Sequence, residues 1–329
     1  MRGLPLPLAA AACLAAAMTV HAQGWKPEKN VEIVVGSSAG TGTDRVARLI
    51  DKIWRESKVM DVPTTVVNRP GGGGGVSWAY LNQRAGDPHY FLITSYNIVT
   101  NHINGSSKLT YTDFTLLSLL ASEYVAYSVS ADSPIKTVAE LVNTFRKDPD
   151  AIPVGVSSAA GGANHIALGR LMRAAGVDMA KVKVVVFSGS NAALAGLLGG
   201  HVGLFVNSVS ATVGPLANGQ IRPLAVASPE RLGGAFAAIP TLRESGIPVI
   251  AENWRLAIAP RGITEAQAAY WEGALKRLTE SREWDAELEK NYIPNRPRFR
   301  AETQRYVAEQ YGEIKTILTD IGLARAPAK

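Results

Sequence analysis

Short apolar runs alternate with amphipathic helical stretches along most of this chain, and that alternation admits few architectures. The first run, Val31-Glu32-Ile33-Val34-Val35, leads into a Gly/Ser/Thr loop over residues 36–43. Apolar residues at Val46, Ala47, Leu49, Ile50 and Ile53 then recur at helical spacing. A β-rich run over 64–67 follows, then Asn68-Arg69-Pro70 and an unbroken glycine run over 71–75. A helix over 78–83 and a strand over 90–94 complete a βαβαβ pattern, which predicts a parallel sheet with helices on its faces.

The pattern then repeats. Pro134 and Thr137 introduce a helix over 138–145, followed by a strand over 152–156, a loop over 157–163 and a helix over 164–175. Strands over 182–187, 202–206 and 221–227, with a helix over 191–198, continue the alternation, and the C-terminal third is mainly helical. We read this as a lobe interrupted by an inserted lobe. Residues 23–122 and 251–329 form the first, and 123–250 the second. Two extended apolar stretches, 121–130 and 250–258, carry the chain between them. No low-complexity tether separates the lobes, which favours strand-like hinges.

Residues 1–22 read as an export signal. Arg2 supplies a minimal positive start, residues 4–20 are dominated by Ala and Leu, and Val20-His21-Ala22 presents small residues for cleavage after Ala22. A membrane anchor fits less well, because the run is short and broken by Pro5 and Pro7. Cys13 lies inside it, so the mature chain has no cysteine for disulfides, thiolate catalysis or metal binding. The expected location is the periplasm. A net charge of +6 is modest, and the basic residues are interspersed with acids, so no one-sided stripe for nucleic acid is visible. A mildly basic surface suits an acidic ligand.

Two loops echo each other. Gly36-Ser37-Ser38-Ala39-Gly40 follows a strand and precedes a helix, and so does Ser157-Ser158-Ala159-Ala160-Gly161-Gly162. Each puts small residues before a helix N-terminus, where unpaired N–H groups and the positive dipole end favour an anion. One such loop per lobe would clamp an acid from both sides.

Motifs for chemistry fare worse. Gly36 to Gly40 also fits a G-x-S-x-G nucleophile elbow at Ser38, but it falls on the first strand, and no late histidine is placed to serve it. Gly40-Thr41-Gly42-Thr43-Asp44-Arg45 begins like a dinucleotide fingerprint, yet Arg45 stands where a small residue is needed. No Walker lysine follows either loop, and the histidines are too scattered for a metal site. Asp44 reads as a helix cap and His165 as a capping or packing residue. The glycine run reads as a turn that lets a helix start close to the sheet. No enzyme activity, metal or cofactor is expected.

Taken together, the motifs resemble the periplasmic solute receptors of tripartite tricarboxylate transporters, the Bug receptors. The matching stretches run in order through residues 34–48, 67–72, 157–165, 189–202, 224–228, 240–246, Trp254 and 259–260. The resemblance implies a type II periplasmic-binding-protein fold, two α/β lobes with a ligand cleft between them. It implies a receptor that delivers a small organic acid to a membrane permease of one large and one small subunit, and a monomer is expected. A periplasmic sensing input is the rival role. Carried over by position, the first lobe offers Ser37, Ser38, Gly40, Thr41, Thr43 and Asp44, with Thr94 and Ser95 at a strand end. The second lobe offers Ser157, Ser158, Ala163, Asn164 and His165, then Ser188, Gly189, Ser190 and Asn207.

Three positions depart from the family pattern. Ser37 stands where an aromatic residue is common, Ser188 where Lys is frequent, and Asn207 where Asp is usual. An uncharged second-lobe wall compensates a second buried carboxylate poorly. The expected ligand is therefore an acid whose other end is neutral or only partly buried, with discrimination against tricarboxylates and amino acids. If charge does reach the pocket, Arg45 and Arg255 are the first residues to examine.

Overall fold

One long strand, β4 (Thr115–Ser130), belongs to two sheets at once, and this sharing organises the molecule. The computed structural model describes residues 24–157 and 159–325; the segment expected to be an export signal and Ser158 lie outside the described residues. Residues 115–124 of β4 pair antiparallel with β9 (Glu252–Ala259), whereas residues 125–130 pair with β7 (Leu204–Ser208) and β8 (Ile221–Val226). The two extended crossings expected from the sequence are thus neighbouring strands. Val125 N donates to Ala251 O at 3.3 Å, and Ala251 N donates to Ala227 O at 3.0 Å.

The first sheet runs β2 (Thr64–Asn68), β1 (Val31–Val35), β3 (Tyr90–Ser95), β9, β4, with the short β10 (Arg298–Phe299) on the far side of β4. β1, β2 and β3 are parallel, and β9 is antiparallel to β3. Helices cover both faces. On one face, α1 (Gly42–Ser57) and α8 (Glu265–Thr279) bury Ile50, Trp54, Trp271 and Leu275 against Ile33 and Phe91. On the other, α2 (Gly75–Asn82), α3 (Asn97–Ile103) and α10 (Arg300–Asp320) bury Trp78, Ile98 and Ile314 against Val34 and Leu256. Burial on both faces explains why β1 reads as a nearly continuous apolar run.

The second sheet runs β8, β4, β7, β5 (Val154–Ser157), β6 (Val184–Phe187). Its parallel part, β7-β5-β6, is connected through α5 (Ala163–Ala174) and α6 (Ser190–Leu198), and α7 (Val209–Ala217) follows β7. One core packs α4 (Val138–Lys147) and α5 against this sheet through Leu141, Phe145, Leu168 and Leu171. α9 (Arg282–Lys290) closes the first lobe beside α1 and α8.

Several boundaries moved. The strand expected over 202–206 is Leu204–Ser208, because Gly203 spends its N–H on Pro153 O before the ladder begins. The sequence patterns mark neither α3, α7 and α9 individually nor the full length of β4. The glycine run does start α2 against the sheet. Gly74 sits at φ +111°, and a side chain there would meet the Trp78 ring at 2.7 Å.

Candidate functional site

The first-lobe loop holds its shape through hydroxyls and one buried carboxylate. The Ser37 hydroxyl lies 2.5 Å from Thr41 Oγ1 and 2.6 Å from Thr43 Oγ1. Asp44, on the first turn of α1, is 1 % exposed and accepts from Gly40 N (2.8 Å), Arg48 Nε (3.0 Å) and Asn68 Nδ2 (2.8 Å). Burial alone would raise the Asp44 carboxyl, but Arg48, the Gly40 N–H and Asn68 together hold it below the usual carboxylate range. Asp44 therefore does not cap α1 in the ordinary way. Thr41 is the N-cap and makes no side-chain cap bond, while Asp44 reaches back to tie down the loop. Its carboxylate is committed inside the lobe.

Ser38 and Gly40 are exposed. The Ser38 carbonyl accepts from Thr41 Oγ1 at 2.9 Å. Thr94 is buried, and its hydroxyl accepts from the Trp78 indole at 3.1 Å. Ser95 is opposite Arg255 in the β3–β9 register.

In the second lobe the structure gathers three of the expected residues around one atom of a fourth. Asn207 Oδ1 accepts from Ser208 N (2.9 Å), Ser157 Oγ (3.1 Å), Asn164 Nδ2 (3.1 Å) and Ser190 Oγ (3.3 Å). Asn164 Nδ2 also donates to Ser157 Oγ at 2.9 Å. A backbone N–H can only donate, so the Ser208 contact fixes the amide with its oxygen on this side. Asn207 Nδ2 and Asn164 Oδ1 are then left buried with no partner among the described residues. A buried donor and acceptor in that condition carry the full desolvation penalty until something meets them.

His165 has its own task. It is 7 % exposed, and its Nδ1 accepts from Gly161 N at 3.1 Å, which pins the loop before α5. That bond requires an unprotonated Nδ1, and burial pushes the imidazole down to about 4. Ala163 and Gly189 are half-buried at the starts of α5 and α6, and Ser188 is exposed.

The six helices that follow the parallel strands share a property. α1, α2, α3, α5, α6 and α7 all begin without a side-chain cap. Away from those strand ends, Thr137, Thr264 and Ser281 cap α4, α8 and α9 by accepting from a first-turn N–H. At the carboxyl ends of parallel strands, uncapped helix N-termini offer backbone donors to an anion, and at α7 one of them, Ser210 N, is already taken by the Glu123 carboxylate.

Two charged contacts escaped sequence reasoning as a connected set. Glu123, 6 % exposed on β4, accepts from Ser210 N at the start of α7 (3.2 Å) and from Arg255 Nη2 (3.4 Å). Arg170 on α5 donates to Ile250 O, Tyr96 Oη, Gln310 Oε1 and Glu313 Oε2 at 2.7–3.3 Å. The partners of each are 74–143 residues apart in sequence, so no local spacing signals them.

Two α/β lobes sharing a strand, with uncapped helices at their strand ends, define a two-lobed solute-binding receptor. A family model described as tripartite tricarboxylate transporter family receptor matches residues 46–323, and the chain belongs to that family. The UPF0065 protein in the gbd 5'region of Cupriavidus necator is 26% identical over 326 residues, 97% of this chain and 95% of that protein. Protein BugT of Bordetella pertussis is 25% identical over 247 residues, 72% of each chain. The R. palustris protein Rpa4515, solved with adipate, superimposes with a TM-score of 0.76 at 26% identity, covering 91% of this chain and 99% of that one. MatC from Rhodopseudomonas palustris, solved with malate, gives a TM-score of 0.69 at 25% identity, covering 91% and 100%. The family consists of solute receptors, and this chain is a receptor rather than an enzyme. The elbow-like Ser38 sits on an exposed loop, and its hydroxyl has no histidine partner among the described residues.

Proposed function

We propose that the protein is a periplasmic receptor that captures a small organic acid between its lobes and delivers it to a tripartite permease. The carrying observation is the buried cluster of Ser157, Asn164, Ser190 and Asn207, which has an amide donor without a partner among the described residues. A carboxylate or hydroxyl oxygen is the simplest acceptor for Asn207 Nδ2. The hydroxyls of Ser37, Thr41 and Thr43 and the N-terminus of α1 serve as the facing contacts in this reading. Relatives solved with adipate and malate support the ligand class.

A thermal-shift screen of mono- and dicarboxylic acids tests it. A ligand that binds only the folded state raises Tm with concentration. At least one organic acid is expected to do so, and scattering at saturation should give a smaller radius of gyration as the lobes close. Shifts produced by sugars or amino acids, with none from organic acids, would overturn the reading.

Asn207→Asp gives a sharper check. The substitution keeps the acceptor that Ser208 N requires but replaces the free donor by a second carboxylate oxygen. Affinity for the acid is expected to fall roughly tenfold or more, about 1.4 kcal/mol, from like-charge repulsion and the lost hydrogen bond. Unchanged calorimetric affinity would remove Asn207 from the site.

A further inference from the structure

A cavity of about 400 Å³ lies between α1, β9 and α9, beside the strand that joins the lobes. Ser37, Ser157, Asn164, Ser190 and Asn207 do not line it; it meets the first-lobe loop only at Gly42, the first residue of α1. Its walls are apolar where Leu49, Trp284 and Leu288 contribute, and basic where Arg45 and Arg255 enter. The volume falls in the range of small-molecule sites, and apolar walls with a few placed polar groups are what such sites share.

The charges there do not balance. Arg45, Arg48, Lys52 and Arg255 line the cavity with Glu123 and Glu287. Arg48 is spent on Asp44, and among the described residues the ion pair within the lining is Arg255 with Glu123, long at 3.4 Å. Glu123 also accepts from the α7 N-terminus, so its charge is shared. Arg45 donates to the Gly40 carbonyl at 3.2 Å and meets no carboxylate within 4 Å among the described residues. Burial disfavours the Arg255 charge, Glu123 offsets part of that, and Arg45 adds repulsion. An anion near the two guanidiniums would relieve both effects.

Two further features shape the cavity's walls. Trp284 is fully buried, and its indole N–H has no acceptor among the described residues. Gly42, at the start of α1, faces the Arg255 guanidinium, and a Cβ there would lie 2.9 Å from Nη2. The backbone at this position thus leaves the guanidinium its place beside the cavity.

We propose that this cavity is a second ligand site that takes a compact apolar monocarboxylate of the arylacetate class. The carboxylate pairs with Arg255 and Arg45, and the apolar body lies against Leu49, Trp284 and Leu288. Because the cavity also includes Ser210 of the second lobe and Glu123 of the shared strand, its occupant touches the seam between lobes.

Calorimetry of the whole mature protein with phenylacetate tests the proposal, with benzyl alcohol as the uncharged comparison. Phenylacetate is expected to bind at millimolar concentration or below, and benzyl alcohol roughly tenfold more weakly or not at all. Arg45→Ala, an exposed position that should not disturb folding, is expected to weaken phenylacetate binding roughly tenfold. Arg255→Met should abolish it. If that variant does not fold because Glu123 is left unpaired, Leu49→Trp, which fills the cavity, replaces it with the same expected loss. Asn207→Asp should leave phenylacetate binding unchanged. No binding to the wild type, equal binding of benzyl alcohol, or indifference to Arg45→Ala and Leu49→Trp would each overturn the proposal. So would loss of binding in Asn207→Asp, which would put the anion in the cleft instead.

Discussion

Arg170→Met is expected to lower stability by about 3 kcal/mol, which a chain of this size shows as a fall in Tm of roughly 5–10 °C. Arg170 is 7 % exposed and extends from α5 of the second lobe to acceptors in the first. Burial alone would lower its guanidinium, yet the nearby Tyr96 and Glu313 hold it above the ordinary arginine value. Methionine conserves much of the apolar stem but strands Tyr96 Oη, which is buried among Trp254 and Ile98. The cost stays at the low end of that for a broken buried pair, because Glu313 is half-exposed and can return to water. For the same reason Glu313→Gln should cost less than about 1 kcal/mol. Urea unfolding of both variants separates the contributions. Equal losses would mean that the ion pair, and not the buried acceptors, carries the stabilisation.

Stability should also fall as pH drops from about 6.5 to about 4, with His165 responsible for about 3 kcal/mol of the decline. The sign follows from burial. The folded imidazole is neutral because its pKa is pushed down to about 4, while the unfolded chain takes a proton near 6.5. Above pH 6.5 both states are neutral and the group contributes no pH dependence. Between the two values the unfolded state binds more protons, so folding weakens. Below the lower value the loss is complete, since both states are charged. Protonation would also remove the acceptor that Gly161 N uses, loosening the loop before α5. Asp44 and Asp87, held below the usual carboxylate range, add losses of their own at lower pH. The informative quantity is therefore the difference between wild type and His165→Gln across the window, measured by urea titration. Parallel curves would show that His165 is not the group titrating.

The local patterns carried much of the architecture. β1, with four of five residues buried, sits between helices on both faces of its sheet. The periodic apolar positions of α1 face Trp271 and Phe91 across a shared core. The paired small-residue loops stand at helix starts without a side-chain cap, with Thr41 and Gly162 at the N-caps of α1 and α5. What escaped the sequence was position across distance. Ser157, Asn164, Ser190 and Asn207 were all named as candidates, yet nothing in their spacing said that a single amide oxygen would collect three of the others. Thr94 and Asp44 looked equally available, but packing gives the first to an indole and the second to Arg48 and Asn68.

Chain chemistry by itself determined the α/β alternation, because each strand–helix unit depends on residues within one or two elements, and the family, because its matching stretches recur in order along the chain. Tertiary structure alone decided which polar groups are already satisfied and which still need a partner. It joined Glu123 to Arg255 through β4–β9 pairing and seated Trp284 with an unmet N–H beside them. Hydrogen bonds and charge pairs are short-ranged, so their balance is settled by which distant strands are brought into register. That register is a property of the folded sheet and of no local stretch of sequence.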